Sequence, residues 1–159
     1  MQLRIVGVVL LAALLALSAC SARPVEPAAP EIHYGEDICS NCGMIINEPR
    51  FASAYAVRQA EGAYETFVFD DTGEMLKHIR ENQALMGVGW WVHDYASEEW
   101  IDAPTAWYVV SPDIKSPMGY GVAAFAAQEA AAALAAETGG KVLDWDAARA
   151  EHIMTGHSH

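Results

Sequence analysis

The residue pattern predicts an α+β fold: two small ββαβ units packed in one mature chain. Three observations carry this reading. Short runs rich in aromatic and β-branched residues are separated by turn signals, the pattern of half-buried strands. The order strand, strand, helix, strand occurs twice, although the two halves share little sequence. At 159 residues the chain suits one compact domain or two small ones sharing a core, not a multi-domain enzyme with a separate nucleotide-binding domain.

The first segment is an address label. Residues 1–19 have one early charge, Arg4, an apolar run from Ile5 to Leu17, and small residues before Cys20, which describes a secretory signal. The apolar run is shorter than the roughly 20 residues that span a bilayer. Residues 20–32 follow as a linker whose prolines (Pro24, Pro27, Pro30) keep it out of helices and central strands. It reads as a passive spacer, with Ser21–Glu31 reaching up to ~35 Å at about 3.1 Å per residue.

The first unit is expected over residues 33–98. It opens on a polar stretch, His33 to Asn47, that holds Cys39 and Cys42. Phe51–Val57 and Tyr64–Phe69 read as strands of a hairpin turning at Glu61-Gly62. Asp71-Thr-Gly-Glu74 is a capping-box variant that opens a helix ending near Asn82, with Met75, Leu76 and Ile79 as its apolar stripe. Gly89–Asp94 is the closing strand. The second unit, residues 99–153, repeats the order: strands at Ala106–Val110 and Tyr120–Ala124, an Ala-rich helix over 126–137 stopped by Gly139, and a strand at Lys141–Asp144. A last helical turn or two starts at Trp145. Residues 154–159 form a mobile, His-containing tail.

Charge excludes whole classes of function. Lys and Arg number 9 against 21 Asp and Glu, a formal charge of −12, and no basic cluster is present. Phosphate-backbone binding, and so a nucleic-acid partner, is excluded. No Ser-His-Asp order, HExxH or P-loop appears, so an enzyme is not indicated. The acidic pairs Glu98-Glu99, Asp70-Asp71 and Asp144/Asp146 read as solvated or helix-capping.

Chemistry concentrates at Cys39-Ser-Asn-Cys42-Gly-Met44. A C-x-x-C spacing lets both sulfurs reach one metal ion or each other, and by itself leaves the choice open. Structural zinc needs four ligands, so this single pair would have to recruit His33 or another distant histidine. A disulfide, structural or catalytic, suits a secreted chain. A redox pair, however, belongs at a helix start, and Gly43 with the β-branched Ile45-Ile46 opens a helix poorly. Met44, two residues on, can face the same side as Cys42, and thioether with thiolate is a donor pair that selects Cu(I). Met118 lies in Ser116-Pro-Met-Gly119, a loop flanked by backbone breakers, where a methionine has little packing reason to be. Met75 and Met86 are assigned to packing. His93, in Val92-His-Asp-Tyr95, reads as a satisfied structural histidine; His152, His157 and His159 with Met154 would make at most a weak second site.

These stretches, taken in order, resemble the NosL family of nitrous oxide reductase accessory lipoproteins. The residues concerned are Cys39-Ser-Asn-Cys42-Gly-Met44, Phe69-Asp-Asp-Thr-Gly-Glu-Met75, Val92-His-Asp-Tyr95, Ala106-Trp-Tyr-Val109, Ser116-Pro-Met-Gly119 and Ala124-Phe125. Leu17-Ser18-Ala19-Cys20 resembles the lipobox of such proteins, in which the cysteine is acylated; Ser21 after it favours the outer membrane. The resemblance implies a Cu(I) chaperone, held by lipidated Cys20 on the periplasmic face of the envelope, that passes copper to the reductase's assembly machinery: a membrane transporter complex, the apo-reductase, or both. It implies Cys42 and Met118 as the leading copper ligands, followed by Met44 and Cys39. A thiol-disulfide oxidoreductase using Cys39 and Cys42 is the alternative.

Overall fold

The computed structural model describes residues 26–151. The leader, Cys20 and the expected tail lie outside the described residues, as do His152 and Ile153 at the end of the second unit.

The first sheet contains β1 (Ser53–Arg58), β2 (Tyr64–Phe69), β3 (Gly87–His93) and β4 (Trp100–Asp102), all antiparallel in the order β2-β1-β3-β4. Between β2 and β3 lies α1 (Thr72–Glu81), capped by Asp71 as its sequence predicts. β1 starts later than Phe51 because Pro49–Phe51 closes a 3-10 turn first. β4 has no sequence forecast: three residues are too few to show a period of two. It belongs to the first sheet, which therefore runs past residue 98.

The second sheet holds β5 (Trp107–Val110), β6 (Val122–Phe125) and β7 (Lys141–Leu143) in the order β6-β5-β7. Helix α2 (Gln128–Thr138) precedes β7, and α3 (Trp145–Ala150) follows it. In each unit the first strand is central, its hairpin partner lies on one side and the strand after the helix on the other. Gly139 ends α2 with φ +61, the left-handed cap expected of it. Helix α2 has no side-chain N-cap; its stability comes from packing Ala131 and Ala135 on Val109, Ala123 and Phe125.

One hydrophobic cluster joins the units: Tyr55, Phe69, Met75, Leu76 and Val92 from the first pack with Tyr108, Tyr120, Val122 and Trp145 from the second. Along β1 the side chains alternate, Tyr55 and Val57 entering this core while Ala54 and Ala56 face the opposite side of the sheet. Asp94, just past β3, ties the sheets at their edge. Its Oδ1 accepts from Ala126 N at 2.9 Å, while Tyr95 N donates to Ala124 O at 2.8 Å.

Two sequence expectations are corrected here. Met86, expected to pack, is 80% exposed in the α1–β3 turn, because β3 begins after it and leaves it outside the strand face. The linker is not a free spacer throughout: Ala29 packs against the outer face of the first sheet and Ile32 is buried in the shared core.

The contact between units is tightest at Gly73, in the first turn of α1. A Cβ there would sit 2.3 Å from Tyr120 Cβ and 3.0 Å from Val122 Cγ2. Gly→Ala ordinarily helps a helix; here overpacking wins. Gly73→Ala is expected to destabilise the protein by about 1–3 kcal/mol, read as a lower midpoint in urea unfolding.

Candidate metal centre

The cysteine turn is built by backbone hydrogen bonds. Ile38 and Ile45 bridge antiparallel, Cys39 N donates to Met44 O at 2.8 Å, and Gly43 N closes on Cys39 O at 3.1 Å. Gly43 carries φ +74, a conformation that favours glycine. The turn is docked on β2, an edge strand, by Ser40 N donating to Val68 O and Val68 N donating to Ser40 Oγ. This brings both cysteines over the point where β2 ends and α1 begins.

At that point stand Asp70 and Glu74. The Cys39 thiol donates to Glu74 Oε2 at 3.1 Å, Asn41 Nδ2 donates to Glu74 Oε1 at 2.7 Å, and the Cys42 thiol lies 3.9 Å from Asp70 Oδ1. Cys39, Cys42, Asp70 and Glu74 each offer a donor atom, all within 4.8 Å of one another. Donors on one ion with bonds of about 2.0–2.3 Å lie at most ~4.6 Å apart, so only a small adjustment is needed. Cys39, Asp70 and Glu74 are each 2% exposed, and Cys42 is half-buried.

The electrostatics are unbalanced in a telling way. Among the described residues no ion pair reaches Asp70, Asp71 or Glu74. Burial, with the neighbouring Glu74, pushes the Asp70 carboxyl up to about 6. Burial likewise raises the Cys39 thiol, against the pull of backbone N–H groups of Cys42, Asn41 and Asp70 and with Glu74 adding to the rise. It raises Cys42 too, with Asp70 and Glu74 contributing. Buried acidic groups without cations are normally protonated or hold a metal. Raised thiols are the reverse of what a disulfide-exchange catalyst needs. Both cysteines are free thiols in a turn, not at a helix start.

The methionines are placed differently. Asp71 Oδ1 caps α1 by accepting from Gly73 N at 2.9 Å, while Oδ2 accepts from Ser116 Oγ at 2.6 Å and Met118 N at 3.0 Å. Ser116 Oγ in turn accepts from Gly121 N at 2.9 Å. The Ser116–Gly119 loop is thereby held at the helix start, one residue from Asp70. Met118 is half-buried and, like Cys42, packs against the shared core that includes Cys39, so it has a packing role that its place between Pro117 and Gly119 does not suggest. Met44 is 52% exposed and lines a cleft of about 440 Å³ with Asp70, Ser116 and Pro117.

Among the described residues the histidines stay out of the cluster. His93 contacts Ala52 O through Nδ1 at 3.0 Å, lies 3.2 Å from Tyr34 Oη through Nε2, and stacks on Trp100, a satisfied structural role. His33 lies at the surface beside Glu31 and Asp37. The carboxylate pair is not legible in the sequence: Asp70, which reads as solvated or capping, is buried at the thiols. The available signal was Glu74, the fourth residue of a capping box whose side chain turns to Cys39 instead of to Asp71.

The family model for NosL matches residues 31–153. The chain belongs to the NosL family. A curated relative, the copper-binding lipoprotein NosL of Stutzerimonas stutzeri, is 33% identical over 150 residues, covering 86% of this chain and 77% of the relative. The crystal structure of the copper chaperone NosL from Shewanella denitrificans superposes with a TM-score of 0.64 at 21% identity, covering 75% of this chain and 93% of that one. That likeness gives the NosL fold independent support.

The raised carboxyl has a testable sign. Asp70 titrates near 6 when folded, against an ordinary value of 3.8. Between those values the folded chain holds more protons than the unfolded one. Metal-free stability therefore falls as pH rises from about 4 to 6 through this group. Asp70→Asn is expected to flatten that slope and to raise metal-free stability at pH 7 by about 1–2 kcal/mol, measured by urea unfolding across the pH range.

Proposed function

We propose that this chain carries Cu(I), held by Cys39 and Cys42 with a thioether from Met118 or Met44, as a lipid-anchored chaperone on the periplasmic side of the envelope. Its cargo goes to the assembly machinery of nitrous oxide reductase. The observation that carries the reading is the pair of adjacent free thiols packed among buried carboxylates that no Lys or Arg among the described residues neutralises. Thiolate and thioether donors favour a soft univalent ion, whereas carboxylates are poor ligands for it. The named copper-binding lipoprotein and copper chaperone among its relatives support the same cargo.

The carboxylates then have a separate task. A thiol must lose its proton to bind metal. The Cys39 S–H already points at Glu74 Oε2, so the proton moves to oxygen as the copper–sulfur bond forms. Cys42 gives its proton to solvent as it binds, so the cluster exchanges one proton for one univalent cation and its net charge in the buried site is unchanged. Cu(I) is satisfied by two or three soft ligands, which leaves a face open for an acceptor's sulfur or imidazole. Copper moves by ligand exchange and is never free. Cys42 and Met44, the more exposed sulfur residues, lie on the side from which an acceptor would approach.

Two thiolates with two carboxylates would also suit Zn(II), which makes a divalent ion the second reading. Anaerobic titration of the reduced protein against a chelator of known affinity separates the two. Cu(I) should be retained at one equivalent, and Zn(II) should not displace it. Cys42→Ser should weaken Cu(I) binding at least ~100-fold and Met118→Ala about tenfold, the latter worth about 1.4 kcal/mol. A Met118→Ala protein with unchanged affinity would remove Met118 from the ligand set. Because binding favours the folded state, Cu(I) should raise the melting temperature. Identical melting curves with and without copper would rule out a ligand set that bridges the two units.

A further inference from the structure

Residues 26–29 lie along the outer face of the first sheet with a definite direction, and the chain then enters the core at Ile32. Glu26 and Pro27 border a cleft of about 550 Å³ with Arg58, Tyr64, Gly89 and Trp91, at the turn end of the β1–β2 hairpin. A Cβ on Gly89 would come within 3.3 Å of Pro27 Cγ. Ala29 packs with Ala54, Ala56 and Trp91, and Ile32 is buried in the shared core. Gly89 is opposite Ala56 and Trp91 opposite Ala54, so the segment advances from the turn end toward the Ser53 end of the sheet. At that far end Phe69 pairs with Ser53, Asp70 follows, and the cysteine turn is docked on Val68. From Tyr64 to Phe69 the strand advances about 17 Å at roughly 3.4 Å per residue.

The covalent chain sets the other limit. Six residue steps separate Cys20 from Glu26, a reach of at most ~22 Å. We propose that residues 26–32 are an orienting strut: lipidated Cys20 holds the turn end of the β1–β2 hairpin toward the lipid surface, and the Cys39/Cys42/Asp70/Glu74 cluster is presented on the side away from it. The inference rests on the lipid anchoring proposed above. It adds a fixed sidedness, so that an acceptor meets the cluster from the aqueous side.

The test uses the full chain, made with its own leader in a bacterial host that acylates lipoproteins. It is reconstituted in phosphatidylcholine vesicles doped with a lipid bearing an amine-reactive ester on its headgroup. Lys115, beside the cluster, reports on the far end, and Gln59→Lys places an amine at the turn end. Labelling is mapped by mass spectrometry and normalised to a water-soluble ester. Position 59 should be labelled at least fivefold more than Lys115. Equal labelling, or preference for Lys115, overturns the strut. Ala29→Asp, which lifts the segment from Ala54 and Ala56, should bring the ratio toward one with circular dichroism unchanged; a persisting fivefold ratio also overturns it. Failure of the chain to float with vesicles overturns the anchoring and the orientation together. Cu(I) affinity in detergent is indifferent to all these outcomes, so loss of the orientation leaves the cargo assignment standing.

Discussion

The carboxylate of Asp71 serves both units at once. One oxygen caps the helix that follows the first hairpin, and the other accepts from the Ser116 hydroxyl and the Met118 amide of the second unit. It is fully buried, and burial raises its carboxyl above the ordinary range even against those donors. A buried carboxylate surrounded by hydrogen-bond donors is costly to disturb, because removing it leaves several donors unpaired. The relation between the cysteine turn and the methionine loop therefore depends on this one side chain. Gly73, two residues on, lets Tyr120 approach closely enough to seal the same contact.

Around that joint the site is assembled from neighbours in sequence with different tasks. Asp70 faces Cys42, Asp71 fixes the Ser116–Gly119 loop, Thr72 donates through Oγ1 to Phe51 O, and Glu74 receives Cys39 and Asn41. A strand ending directly into a helix makes this possible. The backbone turns sharply between Phe69 and Thr72, so successive side chains leave in different directions. The same economy explains the thiol environment: the peptide groups that cradle Cys39 come from its own turn and from Asp70, and Glu74 accepts its S–H.

Most of the fold was legible because its elements obey local rules. Tyr64–Phe69 is rich in aromatic and β-branched residues, Asp71 caps, and Gly139 has the left-handed conformation that its place after the Ala-rich helix requires. β4 was not, since three residues owe their pairing to β3 and not to their own pattern. The cysteines and their loop were legible as donors, but not the carboxylates beside them. Asp70 and Glu74 are polar residues at a helix start, where solvent and capping are the ordinary fates, and only the tertiary approach of a turn some thirty residues earlier buries them. Pro27 and Pro30 carry the same lesson. Proline excludes helix and central strand, yet places no bar on an extended segment lying flat on a sheet of alanines.

Holding a metal and being stable alone make opposite demands on such a cluster. Two thiols and two carboxyls gathered in a buried site repel one another when ionised, so the empty protein is stabilised by keeping protons there, as the raised Asp70 and cysteine values indicate. A hydrophobic replacement of similar shape would pack at less cost. Retaining the acids fits a site where protons are taken up and given back as a cation enters and leaves. A site that neutralised itself with Lys or Arg would be more stable empty and would have no need of metal. With protons as the alternative occupants, loading releases or relocates them and unloading takes them back, so the exchange runs in either direction at modest free-energy cost. Reversibility of that kind suits a carrier better than a permanent structural site, whose ligands would be satisfied by a single occupant and closed to any other.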